Sequence, residues 1–274
     1  MLKLINLEKE KFDNFIFNNE HKSHFLQSQA WGEFSKIKKN LTPYYLGLVN
    51  EHDEIVAATL LLEKKLPLNL CYFYAPRGFV IDYNKKEILK IMTQKIVNFA
   101  KNKKAIFVKI DPDLIKTSTN YLNEVTEHEE TKKIYDTLKS LGWKHQGFTK
   151  NFETMQPRYT FRIDLNQELD IIGEHFSKTT KQRIAKAIKL DTEVTIGTKK
   201  DLKEFYHLMT LTETRKDFIS YNEDYYETLY EIFNGNENSK ATLFLGKIQI
   251  NKTIKALEKN VKNIKNINKN TVMK

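Results

Sequence analysis

Apolar residues in the first 165 positions follow two periods, which predict helices and strands. In one segment Ile88, Ile91, Met92 and Phe99 recur at the spacing of one face of an amphipathic helix. The same criteria predict helices over 7–20, 31–38, 88–101 and 131–141, and strands over 44–49, 55–62, 71–75, 105–110 and 159–165. A polar turn separates the first two strands, which indicates an antiparallel hairpin. The order is typical of an α+β or α/β fold with a mixed sheet.

The second half of the chain continues this alternation. Helices are predicted over 168–190, 199–210 and 222–233, and strands over 194–196 and 241–248. Phe244–Ile248 and Tyr45–Val49 both place Leu-Gly inside a strand, which favours two copies of one fold, with a chance match as the alternative. A boundary near 150–160, at Lys150–Phe152 and Pro157, divides the chain into domains 1–155 and 156–249.

The last residues carry a heptad pattern. Its apolar positions are Ile250, Ile254, Leu257, Val261 and Ile264. A free coiled coil needs roughly three to four heptads, so a frayed basic helix is the simpler interpretation. No partner strand follows 241–248, so we expect an exposed sheet edge and a chain that is cut short.

Composition and charge exclude several classes of protein. The chain is 40% hydrophobic and 12% aromatic, which excludes global disorder, and its net charge of +10 would attract phosphates, nucleic acid or anionic lipid. The single cysteine, Cys71, excludes an internal disulfide and favours a reducing compartment. No signal peptide or membrane-spanning stretch is evident, so we expect a soluble cytoplasmic protein.

Motifs of cofactor and metal chemistry are missing from the sequence. It contains no P-loop, no GxGxxG and no HExxH. His24, His128, His145 and His175 lack the spacing of metal ligands. We therefore expect no cofactor and no metal.

Several sequence blocks occur in the order of a known family. They are Ser23–Ser28, Trp31–Lys36, Tyr72–Tyr83, Phe107–Asp113, Leu141–Trp143, Gln156–Tyr159 and Thr212–Tyr226. Together they resemble the Fem family of peptidoglycan-bridge aminoacyltransferases, over nearly all of residues 1–250.

The resemblance implies tandem GNAT-like domains, the second one interrupted by an antiparallel helical arm and incomplete in this chain. The heptad pattern places the start of that arm at 250–274. It implies transfer of an amino acid from aminoacyl-tRNA to the stem-peptide lysine of a peptidoglycan precursor. That precursor would be lipid II or UDP-MurNAc-pentapeptide, with peripheral contact to the inner face of the membrane.

Lys36 and Arg77 are candidate substrate-binding residues. Lys36 is similar to a family lysine that contacts the precursor phosphate, a task that suits a flexible point charge. A solvated surface lysine is the alternative. Arg77 lies in a turn where its guanidinium can pair with phosphate or carboxylate, and an ordinary surface ion pair is the alternative.

Asp111 is the candidate catalytic residue and also a candidate for substrate binding. It follows the strand 105–110, where clefts of α/β sheets open, and it resembles the family's cleft carboxylate. Acyl transfer needs a neutral amine, so a carboxylate here would orient or deprotonate the incoming ammonium. A simple Asp-Pro turn is the alternative.

Tyr221 and Tyr225 complete the candidate binding residues. Tyr225 matches a substrate-contacting tyrosine of the family, although a Tyr225-Tyr226 pair on a helix is equally typical of a core. Tyr221 stands where many relatives place an arginine. A tyrosine does not replace that charge, which weakens the expectation of phosphate or carboxylate recognition at this point.

The strongest basic cluster, 177–189, leaves a second function open. It is an amphipathic helix with a basic face that could meet phosphates of tRNA or lipid headgroups. The alternatives to the enzyme are therefore a non-catalytic RNA- or membrane-binding module and an inactive truncated remnant. A weaker alternative is a GNAT enzyme that uses a coenzyme A thioester, because the sequence contains no Gly-rich turn that could bind the pyrophosphate.

Overall fold

The computed structural model describes residues 2–19, 21, 23–147, 156–251, 254–255, 258 and 261. Two compact units form: one comprises 1–160 and 221–241, the other 161–220 and 242–274. The first unit therefore includes 221–241, a stretch that sequence analysis placed within 156–249. Of the boundary expected near 150–160, Lys150–Phe152 lies outside the described residues, whereas Pro157 is described. The domain limits stay a prediction.

The described residues form nine strands and eight α-helices. The strands are β1 (Lys3–Asn6), β2 (Thr42–Val49), β3 (Ile55–Lys65), β4 (Cys71–Ala75), β5 (Ala105–Ile110), β6 (Thr117–Thr119), β7 (Val125–Glu127), β8 (Thr192–Gly197) and β9 (Leu243–Ile248). The helices are α1 (Lys9–Asn18), α2 (Gln29–Lys39), α3 (Lys86–Asn102), α4 (Glu129–Ser140), α5 (Leu169–Glu174), α6 (Lys178–Lys189), α7 (Leu202–Lys216) and α8 (Glu223–Asn234). Short 3-10 helices span Phe25–Gln27 and Lys199–Asp201.

A mixed sheet of five strands forms the centre of the first unit, in the order β1-β2-β3-β4-β5. The pairings are antiparallel as far as β4, and β4 pairs with β5 in parallel. The polar turn closes the β2–β3 hairpin, where the Asn50 N–H donates to the Glu54 carbonyl at 3.0 Å. Helix α3 is the crossover that a parallel pair requires. The predicted α+β fold with a mixed sheet is confirmed.

Alternating side chains of the central strands divide the core between the two faces of this sheet. Leu61 and Phe73 pack into the cluster that contains α3, whereas Leu60 and Tyr74 pack into the cluster that contains α1. Neighbouring residues of a strand face opposite sides, so both faces are covered. The sheet is thereby held rigid from both sides, and the ends of β4 and β5 form a fixed edge.

The second unit contains an antiparallel pair of strands and three helices, α5, α6 and α7. Strand β8 pairs with β9 from Thr192↔Ile248 to Gly197↔Leu243. Within the described residues β9 pairs with no other strand, so its second edge is open.

Two of the elements predicted from the sequence differ from the structure, so these predictions are wrong. Residues 159–165 form no strand, and Phe161 is fully exposed, because an alternating pattern becomes a strand only where a neighbour pairs with its backbone. The helix predicted over 168–190 is two helices, α5 and α6. Ser177 starts the second one, since its Oγ accepts from the Thr180 N–H at 3.2 Å as an N-cap.

The C-terminal heptad pattern is described only in part. Ile250, Ile254 and Val261 are helical and exposed, whereas Leu257 and Ile264 lie outside the described residues. The helical arm therefore stays a prediction. Among the described helices, none has the length and apolar composition needed to cross a bilayer.

Candidate active site

Asp111 lies directly after β5, at the edge where the parallel strands β4 and β5 both end. Its carboxylate accepts two hydrogen bonds, from Tyr74 Oη to Oδ2 at 2.8 Å and from the Arg77 N–H to Oδ1 at 2.6 Å. Burial raises the pKa of Asp111, although these hydrogen bonds and the charges of Arg77 and Lys109 oppose the increase. Such a carboxylate is held in one orientation and is a better proton acceptor than an exposed aspartate.

A turn of left-handed residues holds Arg77 beside this carboxylate. Arg77 has φ +62°, a region that residues with a Cβ rarely adopt, and Gly78 follows with φ +77°. A Cβ on Gly78 would lie 2.4 Å from Tyr83 Oη and 3.0 Å from Pro112 Cα, so the turn needs glycine there. This close approach fixes the turn against the residue that follows Asp111.

The guanidinium of Arg77 is largely buried, with a side-chain exposure of 15%. Its Nη1 lies 4.0 Å from Asp113 Oδ1, which is a loose ion pair. Within the described residues its Nε has no hydrogen-bond partner. An unpaired buried donor costs free energy. An anionic ligand atom at this position would form an ion pair with the guanidinium and accept a hydrogen bond from it.

Gln27 links this turn to the sheet and to the start of α2. Its side chain is 1% exposed, and Nε2 donates to the Pro76 carbonyl at 2.6 Å and to the Leu60 carbonyl at 3.3 Å. In return the Leu60 N–H donates to Gln27 Oε1 at 2.7 Å. The amide thus ties the residue before Arg77 to the 3-10 helix that leads into α2.

Lys36 lies on the exposed side of the last turn of α2. No contact joins it to Arg77 or Asp111 in the part of the chain that the structure describes. The lysine is therefore free of the sheet edge, and both the phosphate-binding role and the solvated lysine remain compatible with its position.

Helix α8 packs on α2 and carries Tyr225, whereas Tyr221 lies just before the N-cap Asn222 of that helix. The ring of Tyr225 meets Phe34 edge-to-face at 4.9 Å, and the Lys38 ammonium forms an ion pair with Asp224. Tyr221 stacks on Tyr225 with ring centroids 3.8 Å apart and planes at 5°.

The two candidate tyrosines differ in burial. Tyr221 is 58% exposed. Burial, together with Tyr221 and Tyr226, raises the pKa of Tyr225 to about 12. Its hydroxyl therefore stays protonated at neutral pH and can donate a hydrogen bond.

The structure thus brings the predicted residues together in two groups. One is Arg77 with Asp111, and the other is α2, which carries Lys36, with Tyr225 on α8 and Tyr221 stacked on Tyr225. Sequence analysis missed Tyr74 and Gln27. Tyr74 lies one residue before the end of β4, and its contact with Asp111 depends on the register that pairs it with Lys109. Gln27 lies within the block Ser23–Ser28, but no local pattern distinguishes it from its neighbours. Within the described residues, no group of three or more His, Cys, Asp or Glu side chains could hold a metal ion.

Comparison with protein families gives a match over most of the chain. The model of the FemAB family matches residues 7–274. The chain is 31% identical over 252 residues to a lipid II:glycine glycyltransferase of Staphylococcus epidermidis, which covers 89% of this chain and 56% of that protein. It is 28% identical over 236 residues to the aminoacyltransferase FemA of the same species, covering 85% and 56%.

Other relatives agree with these. A lipid II:glycine glycyltransferase of Staphylococcus aureus is 32% identical over 248 residues, which is 85% of this chain and 54% of that protein. The crystal structure of FemX superimposes with a TM-score of 0.78 at 26% identity, covering 95% of this chain and 61% of that chain. The chain therefore spans about half the length of the curated relatives it matches.

Proposed function

Because the chain belongs to the FemAB family, we propose that it acts in the transfer of an amino acid from aminoacyl-tRNA to the stem-peptide lysine of a peptidoglycan precursor. The acceptor is lipid II or its soluble counterpart, UDP-MurNAc-pentapeptide, and the place is the cytoplasmic face of the membrane. Relatives named as lipid II:glycine glycyltransferases support this substrate class. The observation that carries the proposal is the buried, doubly hydrogen-bonded carboxylate of Asp111 at the edge of β4 and β5.

In the proposed reaction the lysine amine of the acceptor attacks the carbonyl carbon of the aminoacyl ester. Asp111 accepts the proton that the amine must lose. The new C–N bond forms a tetrahedral intermediate, the bond to the ribose oxygen then breaks, and the proton passes to that oxygen. The products are an amide and a tRNA with a free hydroxyl group, so the step needs no cofactor.

Positioning of the acceptor is assigned to the remaining candidate residues. Arg77, with its unpaired Nε, and Lys36, on the exposed side of α2, provide cations for the precursor phosphates. Tyr225 and Tyr221 provide hydroxyl groups and a flat surface at the start of α8. Holding the ester and the amine in contact supplies most of the rate increase in such a mechanism.

The proposed domain organisation assigns precursor binding to the first GNAT-like domain, 1–155. Residues 156–249 are assigned to the N-terminal part of the second GNAT-like domain. This domain is expected to supply the hydrogen-bond donors that stabilise the oxyanion. The helical arm would begin at 250–274. Residues 156–249 include the paired strands β8 and β9.

Calorimetric titration with UDP-MurNAc-pentapeptide tests the acceptor site. We expect Lys36→Ala and Asp111→Asn each to weaken binding about tenfold, since a hydrogen bond to a charged group contributes about 1.5–3 kcal/mol. Lys101→Ala is a matched control, because Lys101 lies in the last turn of α3 as Lys36 does in α2. Absence of binding by the folded wild-type chain, or equal loss in the control, would refute the acceptor site.

A non-catalytic basic module is the second candidate function, and α6 favours it. This helix carries Lys178, Lys181, Arg183, Lys186 and Lys189, and it contains no acidic residue. None of its residues is buried. An uncovered basic helix of this kind suits phosphates of RNA or of lipid headgroups.

A further inference from the structure

A surface cavity of about 350 Å³ opens at the C-terminal end of α4 in the first unit. It is lined by Tyr135, Lys139, Gly142, Trp143, Lys144 and His145. Gly142 has φ +92° and reverses the chain, and the Trp143 N–H donates to the Leu138 carbonyl at 3.1 Å. The reversal brings 143–145 alongside the last turns of α4. None of these residues belongs to the candidate active site.

The aromatic walls of the cavity are held by contacts beneath it. The Trp143 Nε1–H donates to Thr93 Oγ1 at 3.2 Å, and its ring meets Phe79 edge-to-face at 6.1 Å. Tyr135 and His145 meet at 5.3 Å with planes at 73°. The rings therefore offer preformed flat surfaces that need little reordering when a ligand binds.

Cations surround these rings. Within the described residues Lys139 and Lys144 form no ion pair, and no lining residue is a carboxylate. Burial is the main cause that lowers the pKa of His145. The nearby positive charges of Arg158 and Lys116 lower it further. The cavity thus combines a positive potential with aromatic surfaces.

We propose that this cavity binds single-stranded RNA, with one base against the rings of Tyr135, Trp143 and His145 and the adjoining phosphates at Lys139 and Lys144. Aromatic stacking together with cations that follow the backbone is the general physical basis of single-strand binding. Its volume lies within the usual range for small-ligand sites, roughly 300–1,000 Å³. The inference rests on the proposed function, in which the RNA is the aminoacyl donor.

The test measures fluorescence anisotropy of a labelled single-stranded RNA ending in CCA, with the whole 274-residue chain, at several salt concentrations. For the double variant Lys139→Ala/Lys144→Ala we expect weaker binding. We also expect the slope of log affinity against log salt to fall by about 1.4, since each phosphate contact on a single strand contributes about 0.7.

Tyr135→Ala separates stacking from charge. Loss of one stacked base should weaken binding by roughly 5- to 150-fold, because such a contact contributes about 1–3 kcal/mol, and the salt slope should stay unchanged. The matched control is Lys132→Ala/Lys133→Ala, which removes two exposed lysines of the same helix outside the cavity. Binding through α6 alone would show a salt slope but no response to Tyr135→Ala.

Unchanged affinity in the cavity variants, or an equal loss in the control, would overturn the proposal. The proposal would also be overturned if the cavity variants lost binding to vesicles of anionic lipid while RNA binding was unaffected. The surface would then bind a membrane. Titration of Lys139→Ala/Lys144→Ala with UDP-MurNAc-pentapeptide distinguishes the RNA-binding cavity from the proposed acceptor site. Retained precursor binding with weakened RNA binding supports the cavity, whereas failure of the acceptor site in the wild type refutes the proposed function alone.

Discussion

At the scale of single residues, the state of Asp111 is decided by two opposed effects. Burial disfavours its ionised form, whereas the Tyr74 hydroxyl and the Arg77 N–H favour it. Burial is the stronger effect, so the pKa is raised. The same two hydrogen bonds also hold the carboxylate in place, and Gln27 fixes the turn that supplies one of them. Proton affinity and orientation therefore come from the same few contacts.

The raised pKa of Asp111 predicts a specific pH dependence of stability. Ionisation costs folding free energy, because the folded pKa lies above the ordinary value of 3.8. Relative to Asp111→Asn, which cannot ionise, the unfolding free energy of the wild type should fall as pH rises from 3.8 through the folded pKa, and stay lower above it. Urea unfolding followed by Trp31 and Trp143 fluorescence measures this difference.

Tyr74→Phe removes one donor to the carboxylate, so the pKa of Asp111 should rise further and the decline should extend to higher pH. Carbon-13 NMR of the labelled aspartate measures that pKa directly. Parallel stability curves for the wild type and Asp111→Asn would show that the carboxylate is not buried as described.

At the scale of elements, α8 joins the first unit by packing on α2. Ala30, Phe34 and Phe233 form a buried cluster, with Tyr225 packed against it. The ion pair between Lys38 and Asp224 lies at its margin, where Asp224 is 70% exposed. Apolar packing rather than the ion pair should therefore hold α8, and with it the candidate tyrosines, in place.

Phe233→Ala and Asp224→Asn test whether apolar packing stabilises α8 more than the ion pair does. Phe233 is 6% exposed, and its truncation should lower the unfolding free energy by about 3–5 kcal/mol. Asp224→Asn should cost about 1 kcal/mol or less, because an exposed pair is screened by solvent. Trp31 fluorescence reports on both, since Trp31 packs against the same cluster. Equal losses in the two variants would contradict the assignment.

At the scale of the whole molecule, the net charge of +10 lies mostly in the second unit, whose residues sum to +8 against +2 in the first. In the second unit α6 contributes five basic residues and no acidic one, and in the first unit Lys139 and Lys144 line the cavity at the end of α4. Under the proposed function, such a field would raise the rate of association with an RNA-bound donor and a phosphorylated acceptor.

Substitution of Lys178, Lys181 and Lys186 by glutamine tests the basic module. If α6 contacts RNA phosphates, the salt slope should fall by about 2, since each contact on a single strand contributes about 0.7. Binding of UDP-MurNAc-pentapeptide should not change. A steep salt dependence in a wild-type chain that binds no precursor would favour the basic module over the enzyme, and an unchanged slope in the variant would exclude α6 as the RNA surface.

The sequence by itself determined the features that depend on local pattern. The β2–β3 hairpin and α3 follow from periodicity and turn residues, because each segment contains its own signal. The ordered blocks identified the Fem family, and the family match over 7–274 confirms it. Asp111 could be singled out for its place after a strand.

Only the tertiary structure decided which residues meet. The contact of Tyr74 with Asp111 depends on the parallel register of β4 and β5, which no local pattern encodes. The segment 159–165 has the alternation of a strand, yet it forms none in the absence of a pairing neighbour. The cavity lining likewise combines residues on α4 with residues beyond the turn at Gly142. Local patterns specify elements, whereas hydrogen-bond partners, burial and pKa depend on how those elements pack.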